Sequence, residues 1–407
     1  MLTDRGRWVL ALGGLTYLVA WAFGSRPLYP VALGLVLAVA GAALWVRLVR
    51  RPMRLRRRFG RREHVDGDDV PVELELDFEG ALPAMSLLVV ERIARLGEHE
   101  TVVRRRGRKL RGAYLLERVP RGRYPIEEAH VVVEDPFALE RLELPLPAGE
   151  SVLVYPRLVE LERLFSESGR HQAEGRRLLL RRASGFDFHS VREYGAGESL
   201  RRVHWPSTAK RGRLMVKELE DSPRDETVVL LDGDGSVVVG EAPDSTFELA
   251  VRAAGSIVQA HARRGKRVGL AVNSARRDYQ AVHSFDGDWR AALELLAAVE
   301  PDGHTPVATL LADETGPAAR ALELTVVTSA LSPRLAERIL QRTLSRHSAT
   351  FVYVDPVSFG PAPRPTAPEA AAQLVRLERA GVPVAVLRRG DDLAAKLGLP
   401  AVGARAG

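Results

Sequence analysis

The chain has 407 residues, 46% apolar and 27% charged, with 59 Lys+Arg against 52 Asp+Glu and no cysteine. Length and apolar content are those of two or three folded domains and exclude disorder as the main state. The lack of cysteine excludes a disulfide scaffold, a thiolate metal site and a cysteine nucleophile.

The net charge of +7 is unevenly placed: residues 1–62 hold 12 arginines and one acid, Asp4, leaving the rest slightly acidic. Such a body is a poor electrostatic match for DNA or RNA. The arm opens with two apolar stretches, Trp8–Gly24 (17 residues) and Leu28–Val46 (19 residues). Each approaches the roughly 17–25 residues that a helix needs to cross the hydrocarbon core. Gly24 to Pro27 is a tight turn, and Trp8, Trp21, Tyr29 and Trp45 lie near the ends, where amphipathic rings favour the interface. Arg5 and Arg7 precede the first span, and Arg47, Arg50, Arg51, Arg54, Arg56, Arg57, Arg58, Arg61 and Arg62 follow the second; only Arg26 sits in the turn. The positive-inside rule then places both termini and the soluble domains in the cytoplasm, on the inner membrane. Residues 1–62 are therefore expected to be a two-pass transmembrane hairpin with a basic flank that signals topology and attracts anionic lipid. A signal peptide over Arg5–Ala22 is the alternative, disfavoured because a second span follows at once.

Residues 63–161 read as strands. Val70, Val72, Leu74, Leu76 and Phe78 alternate with polar residues, and further runs lie at Met85–Val90, Gly112–Arg118, His130–Glu134 and Ser151–Tyr155. Short strands at this spacing suggest a small β-sandwich-like domain. From residue 225 to 407 strands and helices alternate. The strands are expected at Thr227–Leu231, Arg267–Val272, Tyr279–Phe285, Leu322–Thr328, Thr350–Val354 and Val382–Leu387. The helices are expected along Phe247–His261, Trp289–Val299, Pro333–Leu344 and Glu369–Ala380. That alternation predicts a doubly wound α/β domain with ligands beyond the carboxyl ends of its strands.

Two constellations carry chemistry. Asp232-Gly-Asp234-Gly-Ser236 follows the first α/β strand and sets two carboxylates and a hydroxyl at its carboxyl end. Hard oxygen donors at alternate positions suit Mg²⁺ or another divalent cation, although the same string is ordinary turn chemistry. An EF-hand is excluded, since Pro243 stands where its bidentate Glu is needed. The second is Gly185 to Lys217, a connecting segment within residues 162–224 where Phe186, Phe188, Tyr194 and Trp205 interleave with seven bases and three acids. Such a mixture binds single-stranded nucleic acid or forms a structural, partner-docking clasp; the modest basic excess favours the clasp. His189, Glu193, His204 and Ser207 make no HExxH motif or GxSxG elbow, and the chain has no P-loop or GxGxxG fingerprint.

The string Gly185-Phe-Asp187-Phe, Arg192-Glu-Tyr194, Gly197-Glu198, Arg201-Arg202-Val-His204-Trp205, Ala209-Lys210 and Val216-Lys217 resembles the signature of a bacterial membrane-anchored family known as domain of unknown function 58. Arg121-Gly-Arg-Tyr124 and Asp135-Pro-Phe-Ala138-Leu139 resemble its RGxY and DPFGL motifs, with Ala138 where glycine is more usual. The resemblance implies a transmembrane hairpin, a β-rich domain and a von Willebrand factor A-like domain. It also implies a partner, a MoxR-type AAA+ ATPase. Signature residues Asp187, Arg192, Tyr194, Arg201, Arg202, His204, Trp205, Lys210 and Lys217 are then the expected docking residues. In the metal-ion-dependent adhesion site of such A domains, Asp232, Asp234 and Ser236 match the first element and Thr305 the threonine element, while Thr328-Ser329 stand where the closing aspartate belongs. The resulting expectation is a non-enzymatic, cytoplasm-facing scaffold that docks a protein partner through a degenerate divalent-metal site. An enzyme of cell-envelope metabolism is the alternative, and a nucleic-acid binder using the Gly185–Lys217 segment a further one.

Overall fold

Thr3 opens helix α1 (Asp4–Phe23) as its N-cap, its hydroxyl accepting from the Gly6 amide at 3.0 Å. Gly24 ends α1 at φ 63°, a left-handed conformation that glycine adopts without a Cβ penalty. Helix α2 (Leu28–Val49) packs back on α1, with Tyr17 edge-on to Tyr29 at 5.6 Å. A Cβ on Gly13 would stand 3.3 Å from the Leu35 Cβ, so the small residue sets how closely the helices approach. By length and composition both helices can cross a membrane.

The computed structural model describes residues 1–399 apart from 51, 62, 79–85, 107–108, 168–187, 194–204, 220–226, 314–315, 346 and 361–364. The chain divides into one unit of Met1–Arg157 with Glu294–Val299 and another of Leu158–Leu293 with Glu300–Gly407.

In the first unit the strands are β1 (Met53–Phe59), β2 (His64–Val65), β3 (Val70–Phe78), β4 (Ser86–Ile93), β5 (Gly97–Arg106), β6 (Lys109–Leu116), β7 (Gly122–Glu134), β8 (Arg141–Pro145) and β9 (Ser151–Tyr155). They form one nine-stranded sheet in the order β1-β3-β6-β5-β4-β7-β9-β2, with β8 also on β7, where the sequence suggested a small sandwich. The cause is β7: its 13 residues pair with β9 through Gly122–Pro125, and further along with β4 and β8, so one continuous ladder curls around one core. Leu55, Val72, Leu74, Val89, Ile126, Val131 and Val154 fill that core, and Val49 at the end of α2 joins it.

The arginine flank is not a free tether. From Met53 it is strand β1, paired with β3 over its whole length. Arg57 leaves solvent altogether: its Nε lies 2.6 Å from Glu91 Oε1, with the two side chains 1% and 0% exposed. The Tyr114 hydroxyl donates to the other Glu91 oxygen at 2.8 Å. Burial and the Glu91 charge push the Tyr114 phenol well above its usual range.

Both short motifs of this unit have structural work. Buried Arg121 donates to the carbonyls of Leu296, Ala297 and Val299 at 2.7, 3.2 and 2.8 Å, satisfying acceptors at a helix end. Arg95 lies over the Tyr124 ring at 4.8 Å, and the Tyr124 hydroxyl donates to the Pro120 carbonyl at 2.7 Å. Asp135 organises the β7–β8 turn by accepting from the amides of Phe137, Leu139 and Glu140 at 2.7–2.9 Å.

In the second unit β10 (Phe188–Glu193), α3 (Trp205–Arg211) and β11 (Met215–Leu219) come first, β10 and β11 pairing antiparallel. Next come β12 (Thr227–Leu231), the short pair β13 (Gly240–Glu241) and β14 (Asp244–Ser245), α4 (Thr246–Arg263), β15 (Val268–Val272), β16 (Tyr279–Val282) and α5 (Trp289–Ala298). After two single-turn helices follow β17 (Glu323–Thr328), α6 (Pro333–Leu344), β18 (Ser348–Val354), α7 (Pro368–Arg379), β19 (Val384–Leu387) and α8 (Leu393–Leu397). The six-stranded sheet runs β16-β15-β12-β17-β18-β19, parallel except for β16. Thr227–Leu231 is wholly buried, as its unbroken apolar run requires. Val228, Leu230, Val326 and Phe351 pack with Leu335 and Ile339 of α6 and Leu374 and Leu377 of α7.

Candidate functional site

The strand order reverses between β12 and its neighbours β15 and β17, and the loops leaving the carboxyl ends of those strands are where parallel sheets present ligand sites. The Asp232-Gly-Asp234-Gly-Ser236 loop leaves β12 at that place. The Asp232 amide donates to the Val327 carbonyl of β17, and the Asn273 amide beyond β15 donates to the Leu231 carbonyl, each at 2.9 Å. The loop from Pro301 to Thr305 closes in beside them: the Gly235 amide donates to the Gly303 carbonyl at 3.0 Å and the Gly303 amide to the Gly233 carbonyl at 2.9 Å.

These loops touch backbone to backbone. A Cβ on Gly303 would come within 2.2 Å of the Asn273 carbonyl oxygen, and one on Gly235 within 2.5 Å of the Pro301 oxygen. Only glycine allows that approach. The glycines of the DGDG string therefore serve close packing of three loops more than tight turning.

Asp232 is 6% and Asp234 4% exposed. Asp232 Oδ1 accepts from the Asp234 amide and from Asn273 Nδ2, both at 3.1 Å, and Oδ2 accepts from Thr328 Oγ1 at 2.6 Å. Asp234 Oδ1 accepts from the Ser236 amide at 2.9 Å and from its hydroxyl at 2.7 Å. Burial pushes the Asp232 carboxyl above its ordinary pKa of 3.8; the hydrogen bonds from Thr328, Asp234 and Asn273 pull the other way, and the Asp234 charge adds to the rise. Asn273, 1% exposed, also donates from Nδ2 to the Thr305 carbonyl at 2.6 Å, and its Oδ1 is a buried acceptor without a hydrogen-bond partner among the described residues.

The fold thus brings Asp232, Asp234 and Ser236 together and ties the Thr305 loop to them through Asn273. In kind, the donors suit a hard divalent cation. In number they fall short: the described residues hold no group of three or more His, Cys, Asp or Glu that could bind a metal, and β17 ends in the hydroxyl of Thr328 rather than an acid. Asn273 escaped the sequence reading. The signal was its place one residue beyond the end of β15, beside the first strand.

Of the signature residues, Arg192 lies on β10 and Lys217 on β11, with Arg192 paired to Val216 and Val191 to Lys217. Trp205 begins α3 and is 67% exposed, and Lys210 is exposed on the same helix. Asp187, Tyr194, Arg201, Arg202 and His204 lie outside the described residues. The Met215 amide donates to Thr208 Oγ1 at 3.0 Å, tying α3 to the start of β11.

A family model described as "Protein of unknown function DUF58" matches residues 190–357, a span that contains α3, the Asp232 loop, Thr305 and Thr328. The chain is 26% identical over 232 residues to the uncharacterized protein YeaD of Bacillus subtilis (strain 168), the match covering 55% of each chain. It therefore spans about half the length of that relative. Among solved structures, Cwp6 from Clostridium difficile is 10% identical over 83% of this chain and 46% of its own, at a TM-score of 0.19. A conjugative transposon lipoprotein from Bacteroides eggerthii is 18% identical over 23% of this chain and 96% of its own, at 0.14. Superpositions that poor carry no argument about fold or function.

Proposed function

We propose that this chain is a membrane-anchored, cytoplasm-facing, non-enzymatic adaptor that docks a protein partner at the crest around Asp232. The observation that carries the reading is the pair of nearly buried acids, Asp232 and Asp234, gathered where the strand order of a mainly parallel sheet reverses. Two carboxylates held there by neutral donors suit a basic group, or a cation shared with an outside acid, better than they suit water alone. In this reading the second unit is a von Willebrand A-like domain whose closing aspartate is replaced by Thr328. The apolar helices α1 and α2 are the anchor, and the resemblance to the family supplies the partner class, a MoxR-type AAA+ ATPase.

If Mg²⁺ or another divalent cation takes part, Asp232, Asp234, Ser236 and Thr305 hold it, and it supplies an open coordination position for a carboxylate of the partner. Capture from native membranes with the full chain as bait tests the proposal. The ATPase is expected with the native chain and lost with Asp232→Ala; equal capture by both ends the proposal. Calorimetric titration of the full chain with Mg²⁺, Mn²⁺ and Ca²⁺ decides the role of the ion, which is dropped if no heat depends on Asp232.

A further inference from the structure

The β7–β8 turn is bonded to the base of the helical hairpin. The Thr3 hydroxyl donates to the Ala138 carbonyl at 2.6 Å, and the Thr3 amide to the Leu139 carbonyl at 3.0 Å. Leu139 is buried with Val39 and Ala42 of α2, and a Cβ on Gly6 would fall 2.2 Å from its carbonyl oxygen. Three amides held by Asp135 make the turn rigid. From it Phe137 projects with 74% of its surface exposed.

The length of α1 locates that ring. Its 20 residues rise about 30 Å from Thr3 to Gly24; the charge-free part from Trp8 covers about 24 Å of that, and the first turn, with Asp4, Arg5 and Arg7, stands at the headgroup level. With the Gly24–Pro27 turn at one face of the membrane, the β7–β8 turn lies at the other. Leu44 and Leu48, 59% and 64% exposed near the end of α2, extend the apolar surface at that level, and Arg5, Arg47 and Arg50 are exposed at the same end of the hairpin.

We infer that the β7–β8 turn is a lipid-binding foot: Phe137 enters the headgroup–acyl boundary of an anionic bilayer while Arg5, Arg47 and Arg50 meet lipid phosphates. The inference rests on the membrane-anchor part of the proposed function. Aromatic rings gain most at this boundary, and basic residues beside it add attraction to anionic lipid. The foot would hold the β-sheet unit against the membrane.

The native chain has no cysteine, so single cysteines report one site each. Spin labels at Phe137→Cys, Leu37→Cys and Leu115→Cys in the full chain, reconstituted in phosphatidylglycerol–phosphatidylcholine vesicles, are tested against oxygen and a water-soluble nickel chelate. Leu37, 58% exposed in mid-helix, reports the anchor. Leu115 pairs with Pro71, beside the end of β1 remote from α2, and serves as the aqueous control. The expected result is a Phe137 label several-fold less accessible to nickel than Leu115 and shallower than Leu37. A Phe137 label as accessible as Leu115, with Leu37 deep, overturns the inference and leaves the anchor standing. A Leu37 label open to nickel overturns the anchor itself. Arg5→Gln, Arg47→Gln and Arg50→Gln combined should shift the Phe137 label toward water; no shift removes the phosphate half of the inference.

Discussion

Glu91 and Asp232, one buried acid from each unit, are compensated differently. Glu91 in the nine-stranded sheet faces the guanidinium of Arg57 and the hydroxyl of Tyr114, so its charge is cancelled where it lies. Asp232 at the crest of the parallel sheet accepts from an amide, a carboxamide and a hydroxyl, all neutral, with a second buried acid next to it. The first arrangement is architecture. The second leaves negative charge at the carboxyl end of an interior strand for something outside the chain to answer; Asp135 too is held by amides alone, so it is the second buried acid beside Asp232 that marks a candidate binding site.

Removing Arg57 should break the first side of the comparison most severely. Arg57→Ala strands Glu91 as a buried, unpaired charge and is expected to cost about 3–5 kcal/mol in denaturant unfolding of the full chain. The exposed pair Arg92–Glu128, at 3.1 Å, is the control, and Arg92→Ala should cost no more than about 1 kcal/mol. Equal losses would show that burial of the Arg57 pair contributes nothing.

Gly303→Ala attacks the other side. Its methyl cannot fit beside the Asn273 oxygen, so the loops must separate at an expected cost of about 1–3 kcal/mol. Amide exchange should accelerate at Gly235 and Gly303, whose bonds join the loops; unchanged protection would mean that the crest is not held by this contact.

Asp232→Asn sharpens the contrast with smaller stakes. Because burial raises the folded pKa of Asp232 above 3.8, the folded chain holds this proton more tightly than the unfolded chain. Stability from this group is therefore greatest below 3.8 and falls as pH rises through the elevated folded value. The asparagine variant should lose that part of the slope and, at neutral pH, stay within about 1 kcal/mol of the native chain while losing partner capture. A slope identical to that of the native chain would show that Asp232 is not the group responsible. Last, Ala138 sits at φ 55°, where glycine is at ease, so Ala138→Gly should stabilise the chain by roughly 0.5–1 kcal/mol. Any loss of stability would mean that the methyl packs usefully against the base of the hairpin.

The parallel sheet was legible because each signal was local. Thr227–Leu231 is a strand and Pro333–Leu344 a helix over the limits that periodicity suggests. β1 was hidden because Met-Arg-Leu-Arg-Arg-Arg-Phe carries too few apolar residues to look like a strand, and what makes it one is β3 pairing beside it and Glu91 receiving Arg57. Gly97–Arg106 was missed for a similar reason, since only Thr101 and Val103 of β5 are buried. At the candidate site, Asp232, Asp234, Ser236 and Thr305 stood out by residue type and spacing, whereas Asn273 depended on β15 lying beside β12.

By itself, the sequence determined where apolar runs are long enough for helices in lipid, where strands and helices alternate, and which loop carries paired acids. These follow from side-chain chemistry at short separations along the chain. Tertiary structure decided that an arginine run becomes a paired strand, that two glycines are required by neighbouring backbone, and that Thr328 supplies the hydroxyl facing Asp232. Each of those depends on partners 13 to 96 residues away or on backbone contact between loops, which no local pattern encodes.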